Sequence, residues 1–249
     1  MKNLSIGIIG AGTVGTALAI RLSRKGYSVN AVTSRSPSSA HRLVQMCGSG
    51  QAYPDLQSVA DNAGFIFITT PDDVIPVVVD QVRWHKDQFV VHCSGADSLD
   101  VLEPARIVGA RVGSFHPLQT FASIHKAVEN LPGSTFALEA EGDLLEILKE
   151  MAVALEGRWI KLGAGDKASY HAAAVMTSNY LVTLIKLASD LWESFGIPRD
   201  QAIQALMPLL KGTVNNLQDL GIPNALTGPI ARGDTGTIRI HLAALQDHS

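Results

Sequence analysis

The stretch IGIIGAGTVGTAL, residues 6–18, carries the reading of the fold. A short apolar run meets Gly10, Gly12 and Gly15 in GxGxxG spacing, and a helical pattern follows. Each glycine answers a separate demand: a tight turn, close approach of backbone to a pyrophosphate, and close packing of helix on strand. The helix opening there aims free amides and the positive end of its dipole at the phosphate. The spacing alone is a weak signal. A strand before it and a helix after it, inside a strand-helix-strand unit, make it specific. Gly10, Ala11, Gly12, Thr13, Val14 and Gly15 are therefore the expected dinucleotide-binding turn.

Some twenty residues further on, an NAD site would place an acidic residue against the ribose 2′-hydroxyl. Here VTSRSPSS, residues 32–39, offers Ser34, Arg35 and Ser36 and no carboxylate. A guanidinium with hydroxyls holds a 2′-phosphate, which a carboxylate would repel, so the expected cofactor is NADP (NADPH). The alternative is that Arg35 is a solvated loop residue. ITTPDDVI, residues 68–75, puts Thr69, Thr70 and Pro71 at a strand's carboxyl end, where ligands of such sheets lie. Pro71 equally suits a helix start.

Around these motifs, short β-rich runs alternate with helical patterns. LSIGIIG, YSVNAVT, GFIFITT, QFVVHCS and ARVGSFH read as strands, and residues 13–25, 38–46 and 73–83 as helices. That alternation predicts a parallel sheet covered on both faces. GSTFALE and GRWIKLG, flanking a helical 141–155, extend it. After Leu162 the period becomes purely helical. The expected fold is α/β, a Rossmann-type doubly wound, mostly parallel sheet over residues 1–162. An all-α domain over 163–249 follows.

With 46% apolar and 17% charged residues, the chain is globular. A net charge of -3 with scattered basic residues argues against nucleic acid as a partner. Cys47 and Cys93 have no metal-ligand spacing, so no metal site and a cytoplasmic, reducing location are expected. The apolar segment 170–192 holds Asn179, Lys186 and Asp190, which reads as a buried helix of a soluble protein rather than a membrane span.

Three further stretches carry candidate chemistry. VVHCSGADSL, residues 90–99, supplies Ser94 and Gly95 in a turn open to a substrate carboxylate or nicotinamide. In SFHPLQTF, residues 114–121, His116 is a proton donor at a strand end, or a packed histidine at a turn stiffened by Pro117. In GAGDKASYHAAAVMTSNYL, residues 163–181, Lys167 and His171 lie four apart on one helix face, and Ser178 and Asn179 return to it. Polar groups there are costly unless paired or used. Lys167 could polarise a carbonyl, and His171 and Asn179 could orient a substrate. Arg232, in ALTGPIARGD, could clamp a carboxylate; a helix-capping turn is the alternative.

FHPLQTF, KASYHAAAVMTSN and LTGPIARGD, together with the glycine turn, resemble the 6-phosphogluconate dehydrogenase-like superfamily. The similarity is greatest to proteins pairing a Rossmann-like domain with a helical domain of unknown function. Ketopantoate reductase, 3-hydroxyisobutyrate dehydrogenase, pyrroline-5-carboxylate reductase and prephenate dehydrogenase are related groups. The resemblance implies an NADP-dependent oxidoreductase moving a hydride to or from a small carbonyl or hydroxyl compound in an interdomain cleft. A 2-oxo acid is the first candidate substrate. A cyclic imine is the enzymatic alternative, and a non-catalytic NADP sensor the other. It matches Lys167 to the lysine of hydroxyacid dehydrogenases, whose asparagine is here His171, and His116-Pro117 to a His-Pro motif of prephenate dehydrogenases. Lys167, His116 and His171 are thus the catalytic candidates, with Ser94, Gly95, Asn179 and Arg232 for substrate. The resemblance also implies a homodimer through the helical domain, and relatives whose chains continue beyond Ser249.

Overall fold

The computed structural model describes residues 4–246. It divides into two compact units, Met1–Ala174 and Val175–Ser249. The first holds an eight-stranded sheet. In chain order its elements are β1 (Ser5–Ile9), α1 (Thr13–Arg24), β2 (Ser28–Thr33), α2 (Pro37–Cys47), β3 (Gln51–Ala52), α3 (Leu56–Asn62), β4 (Phe65–Ile68) and α4 (Ile75–Gln81). There follow β5 (Phe89–His92), α5 (Glu103–Ile107), β6 (Arg111–Leu118), α6 (Ile124–Asn130), β7 (Thr135–Glu139), α7 (Gly142–Ala154), β8 (Arg158–Lys161) and α8 (Lys167–Thr177).

The strand order is β3-β2-β1-β4-β5-β6-β7-β8, parallel throughout except where β7 runs antiparallel to β6. The order reverses between β1 and β4, so the carboxyl ends of these two strands flank the crevice in which open α/β sheets bind ligands. Both faces are covered. Phe65 and Phe67 of β4 pack with α1, α2 and α7, while Ile66 and Ile68 pack with α3, α4 and α5. This two-residue alternation, apolar on both sides, is why the central strands read as continuous hydrophobic runs. The seven strands read from sequence are present. β3, α3, α5 and α6 are too short for a period to show; α3 and α6 are marked only by their caps, Asp55 and Ser123.

His116 lies inside β6, not in a turn. Beyond Ser114, the last residue paired with β5, the strand continues beside β7 alone, with His116 opposite Ala137 and Pro117 opposite Phe136. The Arg111 amide faces β5, and alternation carries the Pro117 nitrogen to the same side, past the end of β5. A missing N–H there breaks no ladder bond, so the proline is tolerated within a strand.

The first unit also runs past the expected change of architecture at Leu162. Lys167, at the start of α8, is buried and hydrogen-bonded to Ser94, just past β5, and to Ser114 within β6, which ties the start of α8 to the sheet.

The second unit contains α9 (Asn179–Glu193), α10 (Arg199–Leu220), α11 (Gly228–Ala231) and α12 (Thr235–Gln246). The segment read as one buried helix is neither single nor buried. Ser178 separates α8 from α9, and Met176, Tyr180, Val182, Leu184 and Leu187 are exposed. The stretch Lys167–Glu193 meets the length and composition of a membrane span, and 6% of its most apolar window is buried. Only Ser189 of α9 and Ala202 of α10 are fully enclosed among the described residues of these two helices.

Candidate active site

The glycine turn joins β1 to α1 at the reversal of strand order. Gly10 has φ +109, a conformation L side chains rarely adopt, and a Cβ there would lie 2.8 Å from the Thr69 carbonyl carbon. A Cβ on Gly15 would lie 2.2 Å from the Gly10 carbonyl oxygen and 2.3 Å from Thr69 Oγ1. The Thr69 hydroxyl donates to that same Gly10 oxygen at 2.6 Å, locking the β1 and β4 ends together. Gly12 differs: a Cβ there would meet nothing, and Gly12 caps α1 with no side chain on the first amides. Two glycines therefore shape the turn, and the third leaves open space above a free helix N-terminus. That cradle suits a pyrophosphate. Thr70 Oγ1 is buried without a partner beside it in sequence.

Ser34, Arg35 and Ser36 follow β2, whose last residue Thr33 accepts from the Gly10 amide. Arg35 and Ser36 are exposed, and Ser36 Oγ lies 2.9 Å from Ser38 Oγ. Among the described residues from Ser28 to Gly50 there is no carboxylate to oppose a 2′-phosphate.

A polar cluster lies at the ends of the neighbouring strands. His92, Ser114 and Glu139 stand in register across β5, β6 and β7. Phe115 and Leu138, their chain neighbours, point into the core on one face, so these three share the opposite face with His116. Lys167 reaches over them. Its Nζ donates to the Ser94 carbonyl at 3.0 Å and to Ser114 Oγ at 2.8 Å, and lies 3.9 Å from Glu139 Oε2. Two of its N–H bonds are thus taken by protein acceptors, and its charge is balanced by a carboxylate just beyond hydrogen-bond distance. Burial, opposed by Glu139, lowers the Lys167 pKa to about 8, and burial raises that of Glu139.

His116 is half-buried beside this cation. Its Nδ1 lies 2.7 Å from Tyr170 Oη, with the two rings edge-on at 5.6 Å. The His171 ring stands edge-on to it at 6.4 Å. Burial first, then Lys167 and His171, bring the His116 pKa down to about 4, so the ring is neutral at physiological pH. Burial lifts the Tyr170 phenol to about 12. Gly95 fits tightly against both imidazoles: a Cβ there would lie 2.8 Å from His116 Nε2 and 2.9 Å from His171 Cδ2. Ser94 organises this turn, its Oγ accepting from the Ala96 and Asp97 amides.

Lys167, His116, His171, Ser94 and Gly95 are thus brought together within the first unit. Asn179 and Arg232 belong to the second, where both are exposed; Asn179 opens α9 and Arg232 follows α11. Sequence reasoning missed Tyr170, Ser114 and Glu139. The signals were present: Tyr170 is one turn from Lys167, and Ser114 is two residues from His116 on the same strand face. Glu139 ends an apolar strand, and only the antiparallel β6–β7 register reveals its place opposite Ser114.

Residues 1–117 match the model of a Rossmann-like domain, and residues 134–249 that of a domain of unknown function, DUF2520. No curated protein matches the chain. Among solved structures, a provisionally assigned NADP oxidoreductase from Bacteroides fragilis is 29% identical, with a TM-score of 0.75, covering 99% of this chain and 92% of that one. A 1-pyrroline-5-carboxylate reductase from Streptococcus pyogenes is 17% identical, with a TM-score of 0.70, covering 98% and 94%. A reductive aminase from Aspergillus terreus, in complex with NADPH and ethyl-5-oxohexanoate, is 17% identical, with a TM-score of 0.68, covering 86% and 75%. The last two share the fold. Sheet order, glycine turn and domain model agree: the chain begins with a Rossmann-like domain, and a helical region follows it.

Proposed function

We propose that the protein is an NADP-dependent oxidoreductase that reduces a small carbonyl compound, a 2-oxo acid first among candidates. The observation that carries this reading is the pairing, in one unit, of an open glycine cradle with a strand-end cluster of neutral proton donors beside a buried cation. Relatives of this fold that act with NADP(H) support it. Bound at the cradle by the turn amides and by Ser34, Arg35 and Ser36, the cofactor supplies the hydride. The chain's own residues orient the acceptor and provide the proton. His116 and Tyr170 are neutral donors, and neither has a carboxylate partner among the described contacts, which suits a neutral carbonyl better than an iminium cation.

The test is NADPH oxidation, followed by absorbance, across a panel of 2-oxo acids and cyclic imines. Oxidation with an oxo acid is expected. Turnover of imines alone would transfer the reading to imine reduction. Tight NADPH binding with no oxidation across the panel would favour a sensor.

The cofactor choice has its own test. Arg35→Asp should weaken NADPH binding by about 30- to 150-fold, the loss of roughly 2–3 kcal/mol of charge-assisted contact, and barely change NADH binding. Calorimetric titration of both cofactors reads this directly. Equal losses for the two would remove the NADP assignment.

A further inference from the structure

We infer that Tyr170 and His116 form the proton-delivery pair of this site: the Tyr170 phenol donates to His116 Nδ1, and the His116 Nε2–H, kept free of a side chain by Gly95, is the proton offered to the reducible group. This rests on the oxidoreductase reading above and names residues within it. Lys167 then acts from behind as a positioning residue, hydrogen-bonded to the Ser94 carbonyl and the Ser114 hydroxyl and held by the charge of Glu139.

The contact at 2.7 Å fixes the pair, and chemistry fixes its direction. A phenol is a far better proton donor than a neutral imidazole N–H, and an imidazole nitrogen is a better acceptor than a phenol oxygen. Tyr170 therefore donates, and the remaining imidazole proton sits on Nε2. That nitrogen is the one closest to Gly95, where any side chain would press on it.

The groups facing His116 keep it neutral. Lys167, Tyr170 and His171 stand on α8, His92 on β5, and Glu139 on β7, paired to Lys167. Burial and the Lys167 cation both oppose a charged ring. A neutral ring can deliver a proton only if another is fed to it, and Tyr170 is placed to do that.

The step balances. Hydride adds to the carbonyl carbon, and the C=O π pair becomes an oxygen lone pair that takes the Nε2 proton. As the Nε2–H bond breaks, Nδ1 takes the Tyr170 proton, and the partly exposed phenol oxygen is reprotonated from water. After product leaves, Nε2 regains a proton from water and Nδ1 returns its own through Tyr170. The net proton comes from solvent.

Two readouts test the pair. In the full-length ¹⁵N-labelled protein, long-range ¹H–¹⁵N correlation spectra at neutral pH should show His116 as the Nε2–H tautomer, the signal being assigned by its loss in His116→Asn. Tyr170→Phe should abolish that preference and give mixed tautomers. An Nδ1–H tautomer in the wild type, or an unchanged tautomer in Tyr170→Phe, overturns the inference whether or not a substrate is found. With any panel compound that is turned over, Tyr170→Phe should lower kcat by about 100-fold, with KM and NADPH affinity little changed. An unchanged kcat equally overturns it. Failure of the whole panel counts against the proposed function and leaves the tautomer experiment to decide this inference.

Discussion

Replacing Gly15 with alanine is expected to lower the thermal midpoint of the protein and abolish NADPH binding together. The new methyl would lie 2.2 Å from the Gly10 carbonyl oxygen and 2.3 Å from Thr69 Oγ1. The first is backbone in a turn that already uses a left-handed glycine, so it cannot step aside without moving the β1 end. The second is the hydroxyl that ties β4 to that turn. Overpacking of this kind costs roughly 2–3 kcal/mol, or about 5–10 °C for a unit of this size. Gly12→Ala is the informative contrast. Its methyl meets nothing in the protein, so the midpoint should not move, while the methyl occupies the space the pyrophosphate needs. Circular dichroism melts and NADPH titration of both variants make the comparison. A Gly12→Ala protein that binds NADPH as well as the wild type would falsify the cradle as its site.

Lys167→Met should be the most destabilising polar substitution in the first unit. It leaves the Ser94 carbonyl and the Ser114 hydroxyl without their partner and Glu139 without its cation. Both charged side chains are largely buried, at 6% and 14% exposed, so solvent screens the pair little. Removing one member of such a pair costs about 2–4 kcal/mol, the lower end applying if Glu139 takes up a proton. Its pKa is already raised by burial, which favours that escape. A double-mutant cycle with Glu139→Gln separates these contributions: the double variant should recover part of the loss. A second consequence concerns His116, whose pKa is held down in part by the Lys167 charge. In Lys167→Met it should rise from about 4 towards its ordinary value. A variant as stable as the wild type, with an unmoved His116 titration, would refute this role for Lys167.

Much of the first unit was legible in the chain. The strands around Phe65 and Phe89 stand out because a sheet covered on both faces needs apolar residues without interruption. The glycine turn was legible because its conformational and steric demands leave no other residue type, as Gly10 and Gly15 show. The His116 environment was not. A His-Pro pair resembles a turn when read locally, and only a strand longer than its neighbour makes room for it inside a ladder. The exposed helices after Thr177 misled for a related reason: apolar spacing shows that a face seeks cover, but not whether this chain supplies it.

By itself, then, the sequence determined the alternating architecture, the glycine turn and the absence of a carboxylate near Arg35, because these follow from local pattern and residue chemistry. Only the tertiary structure decided which polar residues meet. Ser114, His116, Glu139, Lys167 and Tyr170 come from β6, β7 and α8, and their contacts depend on strand register and on where α8 crosses the sheet's edge. A one-residue change of register would send Glu139 to the opposite face and leave Lys167 a different partner. For that reason the cation, the neutral imidazole and the phenol meet in the fold but remain separate motifs along the chain.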